Sequence, residues 1–200
     1  SQVKLILYSL IAISMTINMF ITGGRAGQVM YFAMLGILFL QLLISKKYKS
    51  VLIVIVLIPG TFFLAYLFSD LFYSRVHETI NSLVTYTPGS SDALSHRITF
   101  AINTWGIVTN NLLIGVGTGD FPDAYSNFNK IASPSVPNIT NPHNMYLLVQ
   151  VQLGIFGLLS LLSIFYFQIK LSFCSSDKFI RDVGITLPLL FLLAMFSDSY

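Results

Sequence analysis

Four short stretches hold most of the side chains able to do chemistry. They are "GGRAG" around Arg25, "SHRITF" around Arg97, "GVGTGDF" from Gly115 to Phe121, and "NPHNMY" from Asn141 to Tyr146. An arginine presents a planar fork of donors suited to phosphate, and glycines let backbone amides come close to an anion. Arg25 among its glycines therefore reads as a phosphate ligand, or as an arginine snorkelling to a membrane interface above a tight turn. Arg97, in the first turn of an amphipathic segment, carries the same two readings. Gly117 is the middle of a glycine-dense run that either cradles an anion or turns the chain. No Lys-Ser/Thr follows, so the phosphate-loop pattern is not met. In the last stretch Asn141 suits an N-cap and Pro142 the first helical position, which puts His143 and Asn144 in the first turn. The partial positive charge of a helix N-terminus disfavours imidazolium, and a neutral histidine there can accept a proton as a general base. The plainer reading of His143 is one more polar residue in a helix cap.

Other chemistries lack an anchor. His77-Glu78 has no second histidine at the spacing a zinc helix needs, and the three histidines lie far apart in sequence, so no metal site is expected. There is no Gly-x-Ser-x-Gly elbow. The single Cys174 rules out an internal disulfide. Asn138-Ile139-Thr140 fits a glycosylation sequon, a match that arises often by chance.

The elements that must position these residues are set by composition. The chain has 54% hydrophobic and 10% charged residues, against about 25% charged in soluble domains, so it belongs in a bilayer. The net charge of +3 then speaks of topology and gives no sign of a nucleic-acid partner. Runs of roughly 20 apolar residues predict spans at about 3–21, 28–44, 51–68 and 145–171. A shorter fifth at 183–196 contains Pro188. Lys4, the cluster Lys46, Lys47 and Lys49, and the cluster Lys170, Lys178 and Arg181 all fall on one side, which the positive-inside rule makes cytoplasmic. Arg25, Arg97, His143, most acidic residues and the loop 69–144 fall on the other.

That loop is too long to be structureless. Phe72, Val76, Ile80, Leu83 and Val84 recur at helical spacing, and so do Ile98, Ala101, Ile102, Trp105 and Val108, predicting two amphipathic helices. "TPGSSD" and "SPSVPNITNP" are loop signals. The fold class is thus all-α: a polytopic transmembrane bundle with a long outer loop containing amphipathic helices. With no Met at its start, and ending as a helix leaves the membrane, the chain reads as the C-terminal half of a larger protein.

Taken in order, "TGGRAG" between two spans, then "SHRITFAINTWGIVTNNLLIGVGTGDF", then "PHNMYLLVQVQLGIFGLL" resemble the O-antigen ligase/polymerase superfamily of bacterial inner-membrane proteins, over roughly residues 22–172. The resemblance implies a GT-C-like architecture and a metal-independent, inverting glycosyltransferase without cofactor. It implies transfer of a glycan on the periplasmic face from undecaprenyl diphosphate to lipid A–core (ligase) or to another lipid-linked glycan (polymerase). It also implies that Arg25 and Arg97 hold the donor diphosphate, that His143 is the base, and that Gly117, Asn144 and Tyr146 line the substrate site. Gln152 stands where many relatives carry a glutamate. A transporter or flippase for a polysaccharide precursor is the alternative, but it calls for ionisable groups at mid-membrane, where these spans have almost none.

Overall fold

A computed structural model of the protein describes residues 2–22, 24–85 and 93–197, with the side chains of Lys4, Leu5 and Arg25 outside the description. The predicted "TPGSSD" loop, Asp92 and Asp198 also lie outside it. Among the described residues there are eight helices and no strand: α1 (Gln2–Ile21), α2 (Arg25–Ile44), α3 (Tyr48–Phe68), α4 (Asp70–Val84), α5 (Ala93–Asn110), α6 (Phe121–Ala132), α7 (Met145–Phe173) and α8 (Lys178–Ala194). Among the described residues three stretches are long and apolar enough to cross a membrane: Ala26–Ile44, Tyr48–Phe68 and Met145–Phe173. Ile6–Ile21 is apolar but shorter. The stretch 183–196 falls largely in α8, which keeps Pro188 inside the helix.

The chain forms two compact units, Ser1–Thr79 and Ile80–Tyr200. The first is held by aromatic packing. Phe20, Ala65 and Phe72 are its buried centre, with Tyr31, Phe32 and Tyr66 against them. Phe20 meets Tyr31 and Phe72 edge-on, at ring distances of 5.7 and 5.3 Å, a geometry that aligns ring edges with ring faces. The Ser69 hydroxyl joins α1 to the α3–α4 corner by donating to the Phe20 carbonyl at 2.9 Å.

The second unit is built on α5, α6 and α7. Phe100, Ile107 and Val108 of α5 share a core with Phe121 and Tyr125 of α6, Val136, and Val151 of α7. The helix α6 lies within a stretch where only α4 and α5 are legible in the apolar pattern. Its signals are local: Asp120 at the N-cap, a proline in the first turn and a C-terminal Lys130. The α5 helix forms at the predicted place, with Val108 of its apolar stripe fully buried. Ser95, Thr99, Phe100, Asn103 and Thr104 are inside, while Ile102 and Trp105 are exposed. Polar side chains can occupy this interface because they find partners there. The Asn103 amide donates to Tyr125 Oη at 3.3 Å and to Asn129 Oδ1 at 3.0 Å, and Asn129 donates to the Val136 carbonyl at 2.7 Å. Burial pushes the Tyr125 phenol above its usual value, with the Asn103 bond offsetting part of the rise.

The α7 helix is broken at Gly154 (φ 65°, ψ −163°), and the segment after α5 fills the break. Val116 and Gly117 donate their N–H groups to the Val151 and Gln152 carbonyls at 2.8 and 3.0 Å, and Ile155 donates to Leu112 at 2.9 Å. The backbones cross at two glycines. A Cβ on Gly154 would lie 2.1 Å from the Leu113 carbonyl oxygen, and one on Gly115 (φ 76°) would lie 2.5 Å from the Gln152 carbonyl.

Candidate functional site

The N-terminal end of α7 differs from the sequence expectation by three residues. The helix begins at Met145 with Asn144, not Asn141, as N-cap; the Asn144 side chain accepts from the Leu147 amide at 3.0 Å. His143 lies before the helix in the left-handed region (φ 54°). Asn141 makes the tighter local turn instead, its Oδ1 accepting the His143 N–H at 2.8 Å. Two asparagines in succession thus cap a turn and then a helix, as short side-chain acceptors do. The His143 ring stacks on Phe100 of α5, 6.4 Å between centroids and 29° between planes. Phe100 is one turn from Arg97.

The same end of α7 gathers the C-terminal carbonyls of α8, which have no partner inside their own helix. Met145 N–H donates to Met195 at 2.9 Å, Asn144 Nδ2 to Phe196 at 3.3 Å, and Tyr146 Oη to Leu192 at 2.6 Å. Arg97 Nη1 donates to the Ser197 carbonyl at 3.3 Å, where the negative end of the helix dipole favours a cation. Arg97 and His143 are therefore brought to one place, through consecutive carbonyls of one helix end and through Phe100. Arg97 is exposed and His143 half-buried.

The other expected site residues have different surroundings. Asn144 and Tyr146 spend these polar atoms on α7 and α8. The Gly117 amide is bonded to Gln152, so it takes part in closing the α7 break. Gly117 itself has φ 109°, a backbone state that glycine adopts without strain. Arg25 is the first residue of α2, after Gly24 at the N-cap, and belongs to the first unit. Its neighbour Gln28, not singled out by sequence, is buried, and its amide nitrogen has no hydrogen-bond partner among the described residues. Leaving such a donor unmatched costs about 1–3 kcal/mol, so the start of α2 is a place where a polar group is wanted. His77 bonds Tyr66 at 3.0 Å in the first unit, and His96 packs on Phe100. Among the described residues no three His, Cys, Asp or Glu side chains group as metal ligands.

A family model described as O-antigen ligase matches residues 10–162, spanning the start of α2, α5 and the His143 turn. The chain belongs to the O-antigen ligase family. No curated protein and no solved structure matches it. Membership makes this family member a membrane enzyme of the glycosyltransferase type, concerned with lipid-linked glycans and lipopolysaccharide. Within it, Arg97 and His143 are the two expected catalytic side chains that share one unit, and the carbonyl end of α8 is the feature that sequence alone missed. Nothing in the apolar pattern of α8 signals that the carbonyls at its end receive Arg97, Asn144 and Tyr146.

Proposed function

We propose that this O-antigen ligase family member transfers a glycan from undecaprenyl diphosphate to a hydroxyl acceptor on the periplasmic face of the bacterial inner membrane. The acceptor is lipid A–core for a ligase, or a second lipid-linked glycan for a polymerase. The supporting observation is that His143 stacks on Phe100, one turn of α5 from Arg97, while Arg97 and Asn144 donate to adjacent carbonyls after α8. His143 takes the proton of the acceptor hydroxyl, and the oxygen attacks the anomeric carbon with inversion. The bond from that carbon to the diphosphate breaks, and undecaprenyl diphosphate departs with the bonding pair. A lipid diphosphate is already a good leaving group, so the main demand is for cations that stabilise its growing charge. Arg97 supplies such a cation, and the expectation that Arg25 is a phosphate ligand is tested separately by Arg25→Ala in the same assay.

The test is transfer from purified lipid-linked donor, with EDTA present, by His143→Ala and Arg97→Lys proteins that insert normally. Removing the base should lower the rate by about 10²–10⁴-fold. Arg97→Lys should be poor as well, because the fork is lost. Wild-type transfer by His143→Ala would remove the base from the mechanism. Wild-type transfer by Arg97→Lys would leave Arg97 a point charge at the end of α8.

A further inference from the structure

The α5 helix and the turn after it keep company with α7 in a way that bears on the membrane. Phe100 faces His143, and Leu112 accepts from Ile155. The two pairs are equally spaced along both segments, so α5 and α7 advance side by side in the same direction. Following α7 inward means entering the bilayer. Gly154, against which Leu113 is pressed, is about 24 Å along the helix from Lys170. The hydrocarbon core is about 30 Å thick. With Lys170 at the far boundary, Gly154 and the tip of the turn still lie inside the apolar layer.

The segment is chemically fitted to that depth. No charged residue occurs from Ile98 to Gly119, between Arg97 and Asp120. Its large outward side chains are apolar: Ile102 is 57% exposed, Trp105 51%, Leu113 61% and Ile114 79%, while the exposed Thr109 and Asn110 bond back to the Gly106 carbonyl. The apolar ones continue the lipid-facing surface of α7, where Leu153 and Phe156 are also exposed. A helix end inside hydrocarbon must have its carbonyls satisfied within the protein, and here several are. Thr109 and Asn110 donate to Gly106 at 2.9 and 3.2 Å, the Asn111 side chain to Ile107 at 3.1 Å, and the Asn111 N–H to Val108 at 3.0 Å. Gly115 N–H closes on Asn111 at 2.9 Å, and the next amides pair with α7.

We infer that α5 and the turn through Gly119 form a re-entrant insertion. It descends beside α7 into the leaflet at that helix's N-terminal end, with Ile102 and Trp105 at the headgroup boundary and Leu112–Ile114 among the lipid acyl chains. The inference uses α7 as a span and does not depend on the reaction proposed above. It does have a consequence for any site there: Arg97 stands where the insertion leaves the headgroup layer.

Trp105 is the single tryptophan of the sequence, so its fluorescence reads this surface directly. The protein is reconstituted in phosphatidylcholine vesicles whose acyl chains carry bromine near the headgroup or near the chain end, and water-borne iodide is the opposing quencher. Trp105 should lose most of its emission to the shallow bromines and little to iodide. Moving the reporter with Trp105→Phe and Ile114→Trp should shift the preference toward the deeper bromines, by about 9 Å of depth. Strong iodide quenching at both positions would place the segment in water. Protection from both quenchers would mean that protein covers it. Either result overturns the insertion, and neither bears on whether His143 is a base.

Discussion

Pro59-Gly60 in α3 and Gly154 in α7 both sit in the interior of long apolar helices, yet α3 runs on through its breaker while α7 comes apart. By residue type the reverse would be expected, since a proline removes a ladder bond and crowds the preceding turn, whereas a glycine only loosens the helix. The surroundings decide it. Around Gly60 an added Cβ would meet nothing within 4 Å. Around Gly154 another stretch of backbone is waiting, and the hydrogen bonds that α7 gives up at Val151, Gln152 and Ile155 are remade with Leu112, Val116 and Gly117. In a bilayer a helix can open only where something else satisfies its backbone. A break therefore needs a partner segment more than it needs a breaking residue.

The sharpest way to break this comparison is Gly154→Ala. The new Cβ would lie 2.1 Å from a backbone oxygen, at a φ of 65°, and neither α7 nor the turn can yield without losing the other. The expected cost exceeds about 3 kcal/mol, or about 10 °C in the midpoint of thermal unfolding in detergent. Gly115→Ala attacks the same crossing from the other side and should come close to it. Because both changes open one contact, the double variant should fall little below the worse single one. An unchanged midpoint for Gly154→Ala would mean that the crossing contributes nothing.

The long apolar helices were legible because their signal is additive over many residues, and so was the existence of α4 and α5. The buried face of α5 was not. Its apolar stripe is divided, Val108 lying in the core with Ile102 and Trp105 outside it, and the core side carries Ser95, Thr99 and Asn103 beside Phe100 and Ile107. In a membrane protein the rule that apolar residues point inward is relaxed, since lipid accepts them as readily as protein does. The histidine turn was legible in its residue types and misplaced in register, because Asn141 and Asn144 are both competent caps and a left-handed His143 decides between them. The glycine-rich run from Gly115 suits an anion cradle or a turn. Its actual partner is a stretch of α7 far along the sequence, and no local pattern encodes that pairing.

Gly117→Ala sharpens the contrast within that run. The strained φ of 109° remains, but the atom a Cβ would meet is Asp120 Oδ2 at 2.7 Å, the end of a side chain that can move aside. The cost should be about 1–3 kcal/mol, less than at Gly154. Transfer per folded molecule should stay near the wild-type value, because the Gly117 amide is bonded to Gln152 and not held out for a phosphate. Activity falling well beyond the loss of folded protein, measured by transfer alongside the unfolding midpoint, would return Gly117 to the substrate.

The smallest effect belongs to Gly60→Ala, and its smallness is what the comparison requires. Gly60 lies in a continuous helix with open space where the methyl would go. The substitution removes backbone freedom from the unfolded chain and adds a better helix former, favouring the folded state by about 0.5–1 kcal/mol. Unfolding should shift up by no more than a few degrees, with transfer unchanged. A clear loss instead would show that the Pro59-Gly60 turn of α3 is also gripped by another segment, as Gly154 is. The two helices would then differ in degree and not in kind.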